Sequence, residues 1–554
     1  MAARRCTGLR ILPASMLRSL LSVVLTCLTL PSPDAAADTY PRQPGVDVIH
    51  YVFRLTITDA SNEIAGECTA TLRMAADGVR EVFLDLASVA QGKGMTVSGV
   101  VGAAGPLQYT HTAGRLRIAL AMPTPAGGEM EVTVRYRGVP ADGLRLIDNM
   151  HGERTIFSES WPDRGRQWLP MIDHPYDKAT GEFIITAPAH YQVVANGLLL
   201  EEVDLPGGVR RTHWKQSVPI ATWLYAVGIA RFATHHYEVV RGVPQQAWVF
   251  PQDVEQGYRG FEFTGRRAFE YFSDWIGPYA YEKLAHVEAA GINGGMESAS
   301  AIMYGEKSVT QGRAPVVHEV AHQWWGNAVT EGDWDDVWLS EGFATYFTHL
   351  FREQFDGRDA FVKALKDSIP VIIKTQDEHP GATIVHRTLT DMSKVTNRLT
   401  YEKGGWTLHM LRGIIGTEAF WTGIRDYYRR YRNRNASTAD FRQVMEQASG
   451  QQLSWFFDQW LNRAGIPIVA GSWRYDAMAR QVEIELSQTQ TGDAYRLPIE
   501  VCMTEPGGKV RIERVDLAGR TDRFRLKAEV EPGALTLDPN TWVLMQAGPF
   551  AKRP

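Results

Sequence analysis

The chain has 554 residues, 44% of them apolar and 22% charged, which is enough to pack several cores and excludes wholesale disorder. A formal charge of -5 argues against a dedicated nucleic-acid or anionic-membrane binder, because such proteins need a strong excess of Lys and Arg. The 50 Gly and 28 Pro follow no period, so collagen-like and low-complexity architectures are excluded as well.

Residues 1–37 read as an export signal. Arg4, Arg5, Arg10 and Arg18 precede an apolar run from Leu20 to Leu30, and the small residues Ala35, Ala36 and Ala37 follow. Cleavage before Asp38 and a periplasmic or secreted location are expected. The run is far shorter than the roughly 20 residues of a membrane-crossing helix, so anchoring by an uncleaved N-terminal segment is the minority reading and no stable membrane span is expected elsewhere. Cleavage would leave 54 positive against 62 negative residues, a net of -8. Of the 4 cysteines, Cys6 and Cys27 lie in this segment; Cys68 and Cys502 are too few and too distant for a disulfide framework.

The next segment, 38–237, reads as all-β. Phe53, Leu55 and Ile57 alternate with Arg54, Thr56 and Thr58, and Met130, Val132, Val134 and Tyr136 alternate with Glu131, Thr133 and Arg135. From 238 to 466 the apolar spacing becomes helical, as in Phe441, Val444, Met445 and Ala448. That helix is introduced by Ser437 with Asp440 three residues on, and is closed near Gly450. Beyond Pro467 alternation returns in Val482, Ile484 and Leu486 and in Ile499, Val501 and Met503, which predicts a small β-sandwich over 467–554.

Within the helical segment, 315–326 (PVVHEVAHQWWG) predicts a helix with Pro in its first turn and Gly at its end. His318 and His322 are four residues apart and so lie about 40° apart around the axis, close enough to hold one ion. Imidazole suits zinc, whose catalytic sites take three protein ligands and leave one position open for water. Glu319, on the shoulder of that face, is placed to take the proton of such a water. A second helix, WLSEGFATY, offers Glu341 as third ligand, with eighteen residues between it and His322, and Thr345 one turn on as a hydrogen-bond partner for a ligating imidazole. Trp324, Trp325, Phe343 and Phe347 are expected to pack around the two helices.

Three further segments accompany this one: GINGGMES at 291–298, LTYEKGGW at 399–406, and RQWLPMIDHPYDKA at 166–179 together with VANG at 194–197. In this order, and with WFFDQWL at 455–461 and GIP at 465–467, the chain resembles the aminopeptidase N family of zinc exopeptidases over most of residues 45–470. The resemblance implies a multidomain α+β protein, with an N-terminal β-sandwich or saddle domain, a thermolysin-like, mainly α catalytic domain holding one zinc, and the C-terminal β-sandwich. It implies that Gly294, Gly295 and Met296 align a peptide as an added strand. Glu297 would bind its free α-amine, and the Tyr401 hydroxyl would donate to the oxyanion. Ser298 stands where the family usually has Asn, and Glu159 aligns with a glutamine that helps hold the amine, which predicts a more anionic amine site. Larger members continue into a long helical domain, whereas about 85 β-patterned residues follow Pro467 here, so a more open cleft is expected.

The function expected is therefore a zinc aminopeptidase acting on peptides with a free N-terminus. An endopeptidase, an epoxide hydrolase on the same zinc, and a catalytically silent peptide binder are the alternatives. Arg425, Arg429, Arg430, Arg432 and Arg434 read as a solvated, cationic helix end and not as a nucleic-acid site.

Overall fold

A computed structural model describes residues 38–386 and 389–553; the expected signal segment and its two cysteines lie outside them. The first region is built on an eight-stranded mixed sheet. At its centre Val46–Thr56 pairs in parallel with Lys178–Pro188 and antiparallel with Ile64–Met74. The alternation read in the sequence is what this sheet buries: Phe53 and Leu55, like Val132 and Val134, are buried, while Arg54 and Thr56 are exposed. Sheets of four and three strands complete the region.

The second region opens on a five-stranded sheet whose order is Ala233–His236, Gln245–Val249, Leu284–Ala289, Ala301–Gly305 and Gly295–Met296. Its first strand lies just before residue 238, since Ala233–His236 pairs with Gln245–Val249 and not with the preceding sheets. The short strand Gly295–Met296 is an edge, paired only with Ala301–Gly305. Helices follow. Thr438–Ser449 has the reciprocal Ser437–Asp440 capping box and ends at Gly450 with φ 68°, as its sequence predicts. Trp324, Trp325, Phe343 and Phe347 are all fully buried, with the Trp325 ring 5.1 Å from Phe343 and 5.2 Å from Phe347.

The last region is β: a four-stranded and a three-stranded sheet whose inward residues, Val482, Ile484 and Leu486 on one and Ile499, Val501 and Met503 on the other, share one core. Cys68 and Cys502 are buried free thiols. Among the described residues, no helix is long and apolar enough to cross a membrane. The arginine cluster lies where Thr417–Tyr431 ends, with Arg429 and Arg430 both paired to Asp426.

The first described residue clasps the first two regions together. The buried Asp38 carboxylate meets His174 Nε2 at 2.7 Å and accepts from the Trp334 amide at 3.1 Å, while its own amide donates to Asp333 Oδ1 at 3.2 Å. The next residue continues the clasp, as the Thr39 amide donates to the Leu389 carbonyl at 3.2 Å. Removing one partner of a buried, charge-assisted set leaves the others unpaired. Asp38→Ala is therefore expected to cost about 2 to 4 kcal/mol of unfolding free energy. Denaturant unfolding in a double-mutant cycle with His174→Ala measures it, and an unchanged midpoint would contradict the clasp.

Candidate metal centre and substrate cleft

The helix carrying both histidines is Val316–His322, capped by Pro315, and it stops at His322, earlier than the sequence suggests. After His322 the Trp324 and Trp325 amides both turn back to the Ala321 carbonyl, and Gly326 takes φ 93°. A Cβ there would fall 2.1 Å from Ser340 Oγ, so the tight turn is what lets the two helices of the site approach. The second helix, Trp338–Phe355, presents Glu341 in its first turn.

These elements bring three donor atoms together. The two Nε2 atoms lie 3.1 Å apart, and each is 3.3 Å from Glu341 Oε2. Donors around one tetrahedral ion with bonds of about 2.0 to 2.2 Å are separated by roughly 3.3 to 3.5 Å, so the spacing fits a zinc-sized ion. The donor chemistry fits too, since imidazole and carboxylate suit zinc. Glu341 Oε2 is buried and receives no hydrogen bond from the protein, which leaves it available as a ligand.

The electrostatics agree with a site that calls for a cation. Burial lowers the basicity of His322, yet Glu297, Glu341 and Glu319 outweigh it and push His322 up to about 10. Burial raises Glu341, but His322 and His318 more than cancel that and hold it well below the usual carboxylate range. Burial pushes Glu297 up to about 7 and Glu319 well above its ordinary value, each helped by neighbouring carboxylates. One carboxylate oxygen of Glu297, one of Glu319 and a ring nitrogen of His322 lie within 4.8 Å of one another.

His322 is oriented by groups other than the one expected. Its Nδ1 faces the Trp325 carbonyl at 3.0 Å and Ser340 Oγ at 3.1 Å. Thr345 lines the cleft and makes no hydrogen bond to either imidazole among the described residues; Ser340, adjacent to Glu341, has that role. The Tyr401 hydroxyl donates to Glu341 Oε1 at 2.8 Å, and its ring stacks 6.2 Å from that of His318.

Glu297 follows the edge strand and is held by residues the sequence reading passed over. The Glu297 carbonyl accepts from Gln323 Nε2 at 2.9 Å and from Asn327 Nδ2 at 2.6 Å, both just past the histidine helix. Ser298 is buried and its carbonyl also faces Gln323 Nε2. The N-terminal region supports the same loop: Asn196 Nδ2 donates to the Ala299 carbonyl at 2.6 Å, and the Gly197 amide to Ser300 Oγ at 2.8 Å. Lys283 Nζ, buried, spans the Ala195 and Ser300 carbonyls at 2.9 and 3.0 Å.

Gly294, Gly295, Glu297, His318, Glu319, His322, Glu341 and Tyr401 all line one cleft of about 910 Å³, while Met296 is buried behind it. Glu159 does not belong to this set. Its carboxylate is closed by Arg145 Nε at 2.6 Å and Arg164 at 2.9 Å, so it brings no uncompensated charge to an amine site. The expectation of a more anionic amine site fails at that residue because local charge pairing between Arg145, Arg164 and Glu159 is invisible to alignment.

Two descriptions of one family match consecutive parts of the chain: the peptidase M1 N-terminal domain over residues 48–224 and the peptidase family M1 domain over 261–460. Glutamyl aminopeptidase of Bos taurus is 30% identical over 333 residues, covering 56% of this chain and 34% of its own. Aminopeptidase M1-C of Oryza sativa subsp. japonica is 25% identical over 353 residues, covering 60% and 40%. The chain thus spans about a third of the length of the first of these curated relatives. Among solved structures, Legionella pneumophila aminopeptidase A in complex with aspartic acid superposes with a TM-score of 0.80 at 17% identity, over 93% of this chain and 61% of that one. The M1 zinc metallopeptidase of Deinococcus radiodurans gives 0.65 at 24% identity, over 78% and 96%. With two family models covering most of its length and the two-His, one-Glu centre in place, the chain belongs to peptidase family M1.

Proposed function

We propose that the protein is a zinc-dependent aminopeptidase that removes residues from the free N-terminus of peptides. The observation that carries this reading is the position of Glu297: a buried carboxylate beside the metal-binding group, at the end of the edge strand Gly295–Met296. An anion fixed about one residue's length from the hydrolytic centre binds a terminal ammonium and leaves no room for a preceding residue. The names of the matched relatives, among them glutamyl aminopeptidase, support the same class. We also read residues 1–37 as an export signal removed before Asp38; the sequence pattern supports it.

His318, His322 and Glu341 would hold the zinc, which when bound supplies a Lewis acid for the scissile carbonyl and makes water acidic enough to be a nucleophile at neutral pH. The edge strand Gly295–Met296 offers free backbone groups along which a peptide adds as a further strand. Glu319, whose Oε2 is buried without a hydrogen-bond donor, takes the proton of the attacking water and passes it to the departing amine. Tyr401 donates its hydroxyl proton in a hydrogen bond to the oxyanion that develops on the substrate.

Gly295 matters to Glu319 as well as to the substrate. A Cβ on Gly295 would sit 2.4 Å from Glu319 Oε1, so only glycine lets the base lie against the edge strand. Gly295→Ala is expected to lower kcat/KM by roughly 100-fold through displacement of Glu319, with bound zinc unchanged by elemental analysis. Near-normal turnover would remove Glu319 from the role given to it. Glu319→Gln should lower kcat by a factor on the order of 1,000 or more while retaining zinc. The broader test is hydrolysis of aminoacyl arylamides against their N-acetylated forms, with and without a chelator. Cleavage of the free amine only, abolished by chelation, is expected. Equal cleavage of the acetylated form would point to an endopeptidase.

A further inference from the structure

Along the helix Trp338–Phe355, Glu341, Thr345, Thr348 and Arg352 are spaced by four, three and four residues, so they form one row on one face. All four line the cleft. The row begins at the metal centre and ends at Arg352, eleven residues further on. At 1.5 Å rise per residue that is about 16 Å.

Arg352 differs from the arginines around it. Arg398, across the cleft, is closed on Glu402 at 2.6 Å, and Arg412 on Glu353 at 2.8 Å. Arg352 is exposed and, among the described residues, has no carboxylate within ion-pair distance, although Asp356 and Asp367 line the same end of the cleft. Arg267 likewise has no carboxylate within ion-pair distance among the described residues; it is held against Phe355, Phe263 and Phe351 at 4.1, 5.0 and 5.9 Å from the ring centroids. Phe351 itself lines the cleft beside Arg352. The cleft is thus acidic and buried at Glu297, while at its other end the exposed Arg352 guanidinium is outside any ion pair among the described residues.

We propose that Arg352 is the receptor for the C-terminal carboxylate of short oligopeptide substrates; this rests on the aminopeptidase reading above. A peptide whose amine sits at Glu297 and whose backbone lies along Gly295 and Gly294 runs antiparallel to the edge strand, away from Glu297. In this reading its continuation runs through the same cleft, which Thr348, Phe351 and Arg352 also line. A carboxylate there meets a planar fork of donors matched to it in shape and charge. Extended chain advances about 3.3 Å per residue, so the 16 Å row sets the best fit near five or six residues.

The test is a ladder of peptides from two to eight residues with one common N-terminal residue, each made as free acid and as C-terminal amide. In the wild-type enzyme the ratio of kcat/KM for acid over amide is expected to peak near five or six residues at about tenfold, and to shrink as salt is raised. Arg352→Gln should bring the ratio close to one, and Arg352→Glu below one. A wild-type ratio that does not vary with length, or one that Arg352→Gln and Arg352→Glu leave as it was, would overturn the proposal. Because arylamides carry no carboxylate, their cleavage with a free but not an acetylated amine upholds the exopeptidase reading even when the ladder fails. If the arylamides fail, both fall.

Discussion

Everything around the centre follows from one burden: Glu297, Glu319 and Glu341 are buried together against His322. Carboxylates removed from water at such spacing repel one another and lose hydration, and the protein provides few donors in return, leaving an oxygen of each without a hydrogen bond. Such a cluster persists only where the surrounding structure is stiff enough to hold it and where a cation relieves it. The stiffness is visible in the aromatic packing of Trp324, Trp325, Phe343 and Phe347, which fills the space behind both helices. It is visible again in the close approach that Gly326 and Gly295 permit, one helix against Ser340 and the edge strand against Glu319.

The N-terminal region shares that work. Asn196 and Gly197 fix the loop behind Glu297, Ala195 anchors Lys283 of the second region, and Lys178 Nζ reaches the Asn327 and Ala328 carbonyls at 3.0 and 3.2 Å, just past the histidine helix. The Glu297 carboxylate is therefore positioned from two regions at once. This gives the VANG segment, legible in the sequence only as a resemblance, a physical task.

What the sequence made legible was local. His318, His322 and Glu319 share one helical turn, and Glu341 lies within a helix whose pattern is plain; alternation and capping likewise located the strands and the Ser437 cap. What escaped depends on how separate segments meet. Thr345 has the right helical spacing to reach an imidazole, but the turn at Gly326 brings Ser340 there first. Gln323 and Asn327 flank the metal motif and look like ordinary polar residues until the 297–300 loop folds over them. Glu159 matched a family position, yet its two arginine partners come from different strands and turns. The early end of the histidine helix was equally hidden, because nothing in QWWG announces a sharp turn until Ser340 packs against Gly326.

The clasp at Asp38 has a consequence for how the chain comes together. Its partners Asp333 and Trp334 lie 295 and 296 residues downstream, and Leu389 is 350 residues from Thr39. A chain made from its N-terminus can pair Asp38 with His174 once 136 further residues have emerged, but the contacts to Asp333, Trp334 and Leu389 wait until more than half of its length is available. Closing so long a loop is slow, although its entropic cost grows only with the logarithm of its length. The clasp is thus completed late, and its closure registers that both large regions have already folded.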